Sequence, residues 1–180
     1  PQQRLALLGE HLESLRTTLF RQTMFAEFEL AVHERAEQGE ALSGEALSKI
    51  YLDLARKYYG HDQGHCRVDE AYGVEWASVP HFFIYDFYVF QYSTSLIAST
   101  ALAKGIREEA AKGRTEKRDR YLTMLSSGGS DYGVDLLKRA GVDMTTSEPT
   151  KATIAEMNAT IDEIEKLLGK GGGTTKKAAR

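Results

Sequence analysis

Cysteine occurs once in these 180 residues, at Cys66, so no disulfide can close within the chain, and a reducing compartment fits better than an oxidising one. Proline is nearly as scarce, with three copies; with 42% hydrophobic and 27% charged residues, the composition excludes a disordered or fibrous chain. Excess positive charge is missing as well. A net charge of −3 and a pI near 6.0 argue against nucleic acid and anionic membranes as partners. The most apolar stretch, "SVPHFFIYDFYVFQYSTSLIAS", is interrupted by His81, Asp86 and Gln91, which makes it a poor membrane span. No short apolar block follows a basic start, so a cytoplasmic location is expected. The first residue is Pro1 rather than methionine, which fits a fragment of a longer protein.

Alternating Val/Ile/Thr runs are also absent, and helical periods take their place. Leu5, Leu8, Leu12, Leu15 and Leu19 recur at three and four, and the pattern continues through Phe25 and Phe28 towards Gly39. This predicts one long helix or two in series. Ser43 is placed to cap a helix that uses Leu47, Ile50, Leu54 and Tyr58 as its inner face and stops at Gly60. Residues 60–79 look irregular. Pro80 then opens a helix expected to run unbroken to about Gly105. The charged "REEAAKGRTEKRDR" marks a solvated turn, and "RYLTMLSS" is a further helical piece. Ser130 or Asp131 is expected to cap a short helix ending at Gly141, and Ser147 the last one, ending near Leu168. The predicted class is all-α, with one helical body over 1–168 and a flexible Gly/Lys tail over 169–180.

The helix after Pro80 carries the chemistry. At about 100° per residue, His81, Tyr85, Tyr88 and Tyr92 fall within about 60° of one another, and Phe83, Phe87 and Phe90 cluster on the opposite side. A helix aromatic on both faces is expected to be buried on both. Two readings of the polar-tipped face stand open. Its O–H and N–H groups either bond to neighbouring helices, because each one left unpaired costs about 1–3 kcal/mol, or line a wet cleft and face a substrate. Phenols and an imidazole suit a developing oxyanion, since they donate hydrogen bonds without bringing a full charge.

Three segments, "FRQTMFAEFEL", "GVEWASVPHFFIYDFYVFQYSTS" and "SSGGSDYGVDLLKRAGVDM", follow one another in an order and spacing that resembles the oligoendopeptidase F branch of the thimet-oligopeptidase-like zinc peptidases. The resemblance runs from about Leu5 to Leu168 and is to the C-terminal portion of such enzymes. It implies an all-helical fold with a deep catalytic channel, of which this chain forms part of one wall. It implies that His81, Tyr88 and Tyr92 donate hydrogen bonds to the tetrahedral intermediate, and that Tyr85 contacts substrate. Zinc, its HExxH helix and the catalytic glutamate belong to residues upstream of the resemblance, so no metal is expected on this chain, which alone is expected to be inactive. The implied partners are short unfolded peptides and the missing N-terminal part of the same protein, with dimerisation through exposed apolar surface as a further expectation. Phe90 stands where many relatives have tyrosine, and little consequence is expected. The alternative is a stand-alone helical peptide-binding or scaffold module without catalysis.

"HDQGH" at 61–65 imitates the spacing of a zinc helix, yet Gly60 precedes it, Gly64 interrupts it, and Asp62 is shorter than the glutamate such a site needs. It is expected to be a loop, with His61, His65 and Cys66 as adventitious metal ligands at most. His11 and His33 read as surface residues; Glu27 and Glu29 lack the histidine partners a zinc ligand would need, and Glu27 reads as the partner of a base such as Arg21; Trp76 with Tyr72 reads as core. "SGGSDYG" lacks the phosphate-loop pattern.

Overall fold

The leucine spacing of the first forty residues produces one helical run with a flaw in its middle. In the computed structural model, which describes residues 2–169, α1 (Gln2–Leu15) passes through a π-helical turn (Arg16–Phe20) directly into α2 (Arg21–Glu37). The described residues contain helices and no strand, as the patterning requires. They divide into two compact units: one takes the chain up to Leu15 together with that from Leu96 onward, the other is Arg16–Ser95. The predicted tail lies outside the described residues beyond Gly169.

In the Arg16–Ser95 unit, α2 packs on α3 (Gly44–Tyr59). Ser43 caps α3 by accepting from the Ala46 N–H at 3.2 Å. Gly60 ends it at φ +66, a left-handed conformation that costs glycine nothing. The inner face of α3 is rotated slightly from the expected one: Ile50, Tyr51 and Ala55 are buried, whereas Leu47, Leu54 and Tyr58 only flank them. From α2 come Met24, Phe25 and Phe28, with Phe28 edge-on to Tyr51 at 5.4 Å. Truncating either phenylalanine would cost about 3–5 kcal/mol, a large share of the roughly 5–15 kcal/mol that holds a domain.

The irregular stretch after Gly60 contains a 3₁₀ segment, Glu70–Ser78, started by Asp69, whose Oδ1 accepts from the Ala71 N–H at 3.1 Å. It lies so close on α3 that a Cβ on Gly73 would sit 3.2 Å from the Ser48 carbonyl oxygen. Trp76 donates its indole N–H to Ser48 Oγ at 3.1 Å and flanks the core as expected, but Tyr72 is exposed.

The helix expected from Pro80 to Gly105 is broken. A single turn, α4 (His81–Ile84), is followed by a non-helical stretch and then α5 (Phe90–Ala110). Tyr85 leaves helical geometry at φ −136, ψ 79, and Phe87 takes φ +54, where a side chain is disfavoured. Nor are both aromatic faces buried: Phe83, Phe87 and Phe90 are 61%, 47% and 45% exposed. The inward ring is Phe82, packed at 5.1 Å on Phe28 and 5.5 Å on Phe25, and the other inward anchor is Val89.

In the other unit, α1 lies along α8 (Glu148–Leu167) with an Arg4–Glu163 ion pair. Leu102 of α5 joins Ala140 and Val142 in a small core beside α6 (Glu116–Ser126) and α7 (Gly133–Arg139). The turn into α6 is stitched by the buried Glu109, whose Oε2 accepts from the Lys117 N–H at 2.8 Å. Neither Ser130 nor Asp131 caps α7, whose N-cap position is Tyr132; Asp131 instead accepts from the Tyr132 N–H and pairs with Arg139, each at 2.8 Å. Ser147 occupies the N-cap position of α8 without a side-chain hydrogen bond.

Candidate active site

Four rings meet where the helix breaks. The His81 imidazole lies 5.4 Å from the Tyr88 ring, 6.0 Å from Tyr92 and 6.4 Å from Tyr85. Tyr88 is in turn 6.0 Å from Tyr85 and 5.5 Å from Tyr92. A straight helix could not bring them together. Eleven residues separate His81 from Tyr92, a rise of about 16 Å along an α-helix axis, so the expected stripe would be a column rather than a cluster. The break folds the column into a patch.

The break is held from its inner side. Phe82 and Val89, on either side of it, are seated in the aromatic core. Between them the Phe87 N–H donates at 2.8 Å to Oε1 of Glu29, a carboxylate of α2 that is only 4% exposed. His33, one turn further along α2, packs against the Phe87 ring at 4.5 Å with the planes tilted by 39°, and so is not an isolated surface histidine. Sequence reasoning passed over Glu29 as a ligand without partners.

The four rings face outward, and all three phenols are exposed. The Tyr92 hydroxyl lies 3.5 Å from His81 Nε2, at the outer limit of hydrogen-bond reach. The Tyr88 hydroxyl beside it, helped by partial desolvation, holds the Tyr92 phenol above the ordinary tyrosine range. At neutral pH this phenol is therefore a donor, not an anion. The arrangement offers neutral O–H groups and an imidazole edge converging on one exposed patch, which suits an incoming carbonyl or the oxyanion it becomes.

The remaining candidates resolve otherwise. His61 Nδ1 accepts from the Val68 N–H at 2.9 Å, and the His65 ring covers Gly60, so both staple the loop after α3. Among the described residues, no group of three or more His, Cys, Asp or Glu side chains is placed to hold a metal ion. Glu27 pairs with Lys57 and accepts from the Tyr58 hydroxyl at 2.8 Å, while Arg21 pairs with Glu75 instead. Burial, and then the Glu27 carboxylate, push the Tyr58 phenol up to about 12.

The sequence pattern of Peptidase family M3 matches residues 1–156. This chain belongs to that family. It is 44% identical over 168 residues to Oligopeptidase PepF of Bacillus subtilis, covering 93% of this chain and 24% of PepF. An Oligoendopeptidase F homolog of Lactococcus lactis is 40% identical over 94% of this chain and 27% of its own length. The crystal structure of oligoendopeptidase-F from Enterococcus faecium superposes with a TM-score of 0.82 at 37% identity, covering 94% of this chain and 31% of that one. The M3 chain described here thus spans about a quarter of the length of the curated relatives it matches. No described helix is long and apolar enough to cross a membrane.

Proposed function

We propose that this chain is the C-terminal wall of the active site of a zinc metalloendopeptidase that cleaves short unfolded peptides in the cytoplasm. The observation that carries the reading is the convergence of His81, Tyr88 and Tyr92 at a helix break, in a chain of a peptidase family. The described residues do not fit a zinc site of their own. Zinc is accordingly assigned to the rest of a longer polypeptide, where it would polarise the scissile carbonyl and supply an activated water.

The chain's own residues then have defined tasks. The Tyr88 and Tyr92 hydroxyls and the His81 imidazole donate to the oxygen that gains charge as the carbonyl becomes tetrahedral. Neutral donors suit this task because their hydrogen bonds strengthen only as the charge develops. Tyr85, more peripheral and exposed, holds the peptide backbone. The exposed Phe83, Phe87 and Phe90 favour a second reading, a peptide-binding module without catalysis.

The complete natural polypeptide and this 180-residue chain, compared by zinc content and by cleavage of a quenched fluorescent peptide, separate the two. Zinc and cleavage in the complete polypeptide alone support the peptidase wall. Peptide binding with neither zinc nor cleavage in the complete polypeptide supports the module.

A further inference from the structure

We infer that Glu29 is a positioning residue for the four-ring cluster, which it controls through the backbone of Phe87. The inference rests on reading that cluster as a peptide-facing site. Phe87 is the only non-glycine among the described residues with positive φ, at +54, and a side chain in that conformation needs outside support. Glu29 supplies it: the carboxylate is buried, and its Oε1 takes the Phe87 N–H at 2.8 Å. That amide lies between Tyr85 and Tyr88, so the hydrogen bond fixes the turn that brings Tyr88, and Tyr92 of α5, back towards His81.

Burying a carboxylate is costly, and an apolar residue would fill this position in an ordinary helix face. A residue retained only for packing would not need a charge. Here the acid is spent on one backbone N–H at the point where the chain departs from helical geometry. The Glu29 hydrogen bond is to the Phe87 backbone, and its effect on the four rings passes through that backbone.

The test uses the 180-residue chain and NMR. In the wild type the Phe87 amide should be protected from hydrogen exchange, and the ring protons of His81 should carry the upfield shift of a ring stacked on Tyr88. Glu29→Ala should speed exchange at Phe87 by roughly tenfold or more and abolish that shift, while α2 and α3 stay protected. Glu29→Gln, whose amide oxygen can still accept, should keep both signatures. Phe87→Gly, free of strain at this φ, should restore much of the His81 shift in the Glu29→Ala background.

A folded Glu29→Ala chain with the His81 shift intact overturns the inference. Should Glu29→Ala fail to fold, the wild type decides, and a Phe87 amide exchanging like an unstructured one overturns it equally. The site reading is tested separately in the same samples. A short unstructured peptide that leaves the Tyr88 and Tyr92 resonances unmoved counts against the site but not against control of the rings by Glu29.

Discussion

The His81 and Tyr88 rings lie within 6° of parallel, 5.4 Å apart, although His81 belongs to α4 and Tyr88 to the non-helical stretch that follows it. Under the proposed function, stacking of this kind orients the imidazole edge beside the phenol hydroxyl. On the proposed reading, Tyr88→Phe in the complete natural polypeptide keeps the ring and removes only the donor. It should lower kcat by about 100-fold with little change in KM, read from steady-state cleavage of a quenched peptide. Equal losses in binding and turnover would show that Tyr88 holds the ground-state peptide instead.

The Glu75 carboxylate joins two elements of the core, accepting from the Tyr51 hydroxyl at 2.6 Å and pairing with Arg21. Burial pushes its pKa up, but the hydrogen bonds from Tyr51 and Arg21 outweigh burial, and the net shift is downward from 4.5. A depressed folded-state value means that Glu75 contributes stability above the ordinary glutamate range, and that this is lost as pH falls through the lower folded value. Tyr51, buried beside that carboxylate, is pushed strongly up and stays protonated. Tyr51→Phe should cost about 1–3 kcal/mol at neutral pH and flatten the loss of stability in acid, both measured by urea unfolding.

Gly60→Ala should destabilise by about 1–2 kcal/mol from the left-handed backbone alone. A further cost follows because the new Cβ would meet the His65 ring at 2.8 Å. The two costs separate in a double-mutant cycle: Gly60→Ala should be milder in a His65→Ala background. Additive effects would show that the His65 ring moves aside freely. Neither variant should alter the zinc content of the purified chain.

Asp143 offers a check on local electrostatics away from the rings. Hydrogen bonds from the Thr145 hydroxyl, Lys138 and the Thr145 N–H pull its carboxyl from 3.8 down to about 2. Its contribution to stability is therefore present above 3.8 and fades as pH approaches 2. Carbon-detected NMR titration should find that low value in the wild type and a higher one in Thr145→Val. An unchanged value in the variant would assign the effect to Lys138 and the Thr145 N–H.

How much of this was legible beforehand depends on what each element relies on. The start and stop of α3 follow from Ser43 and Gly60, residues whose chemistry acts within one turn, and sequence reasoning placed both. The break after Ile84 does not. No glycine lies between Gly73 and Gly105, and the helical period continues through the break, because what imposes it is a carboxylate some sixty positions earlier in the chain. A clue to Glu29 was present. It stands four positions after Phe25 and next to Phe28, on the buried face of α2, where a charge must have a partner. The ring residues were picked out by a geometry the protein does not have, and the break brings the same four rings closer together than that geometry allows.

Transplanting this patch shows what the break means for anyone rebuilding it. Four residues copied at the same spacing onto an idealised straight helix would give a ladder in which each ring meets only the next. The portable unit is the segment from Phe82 to Tyr92, together with a hollow for Phe82 and Val89 and an acceptor for one amide. Its length, counted in residues between the two helical pieces, is the quantity to hold fixed, and the helical propensity of those pieces can vary.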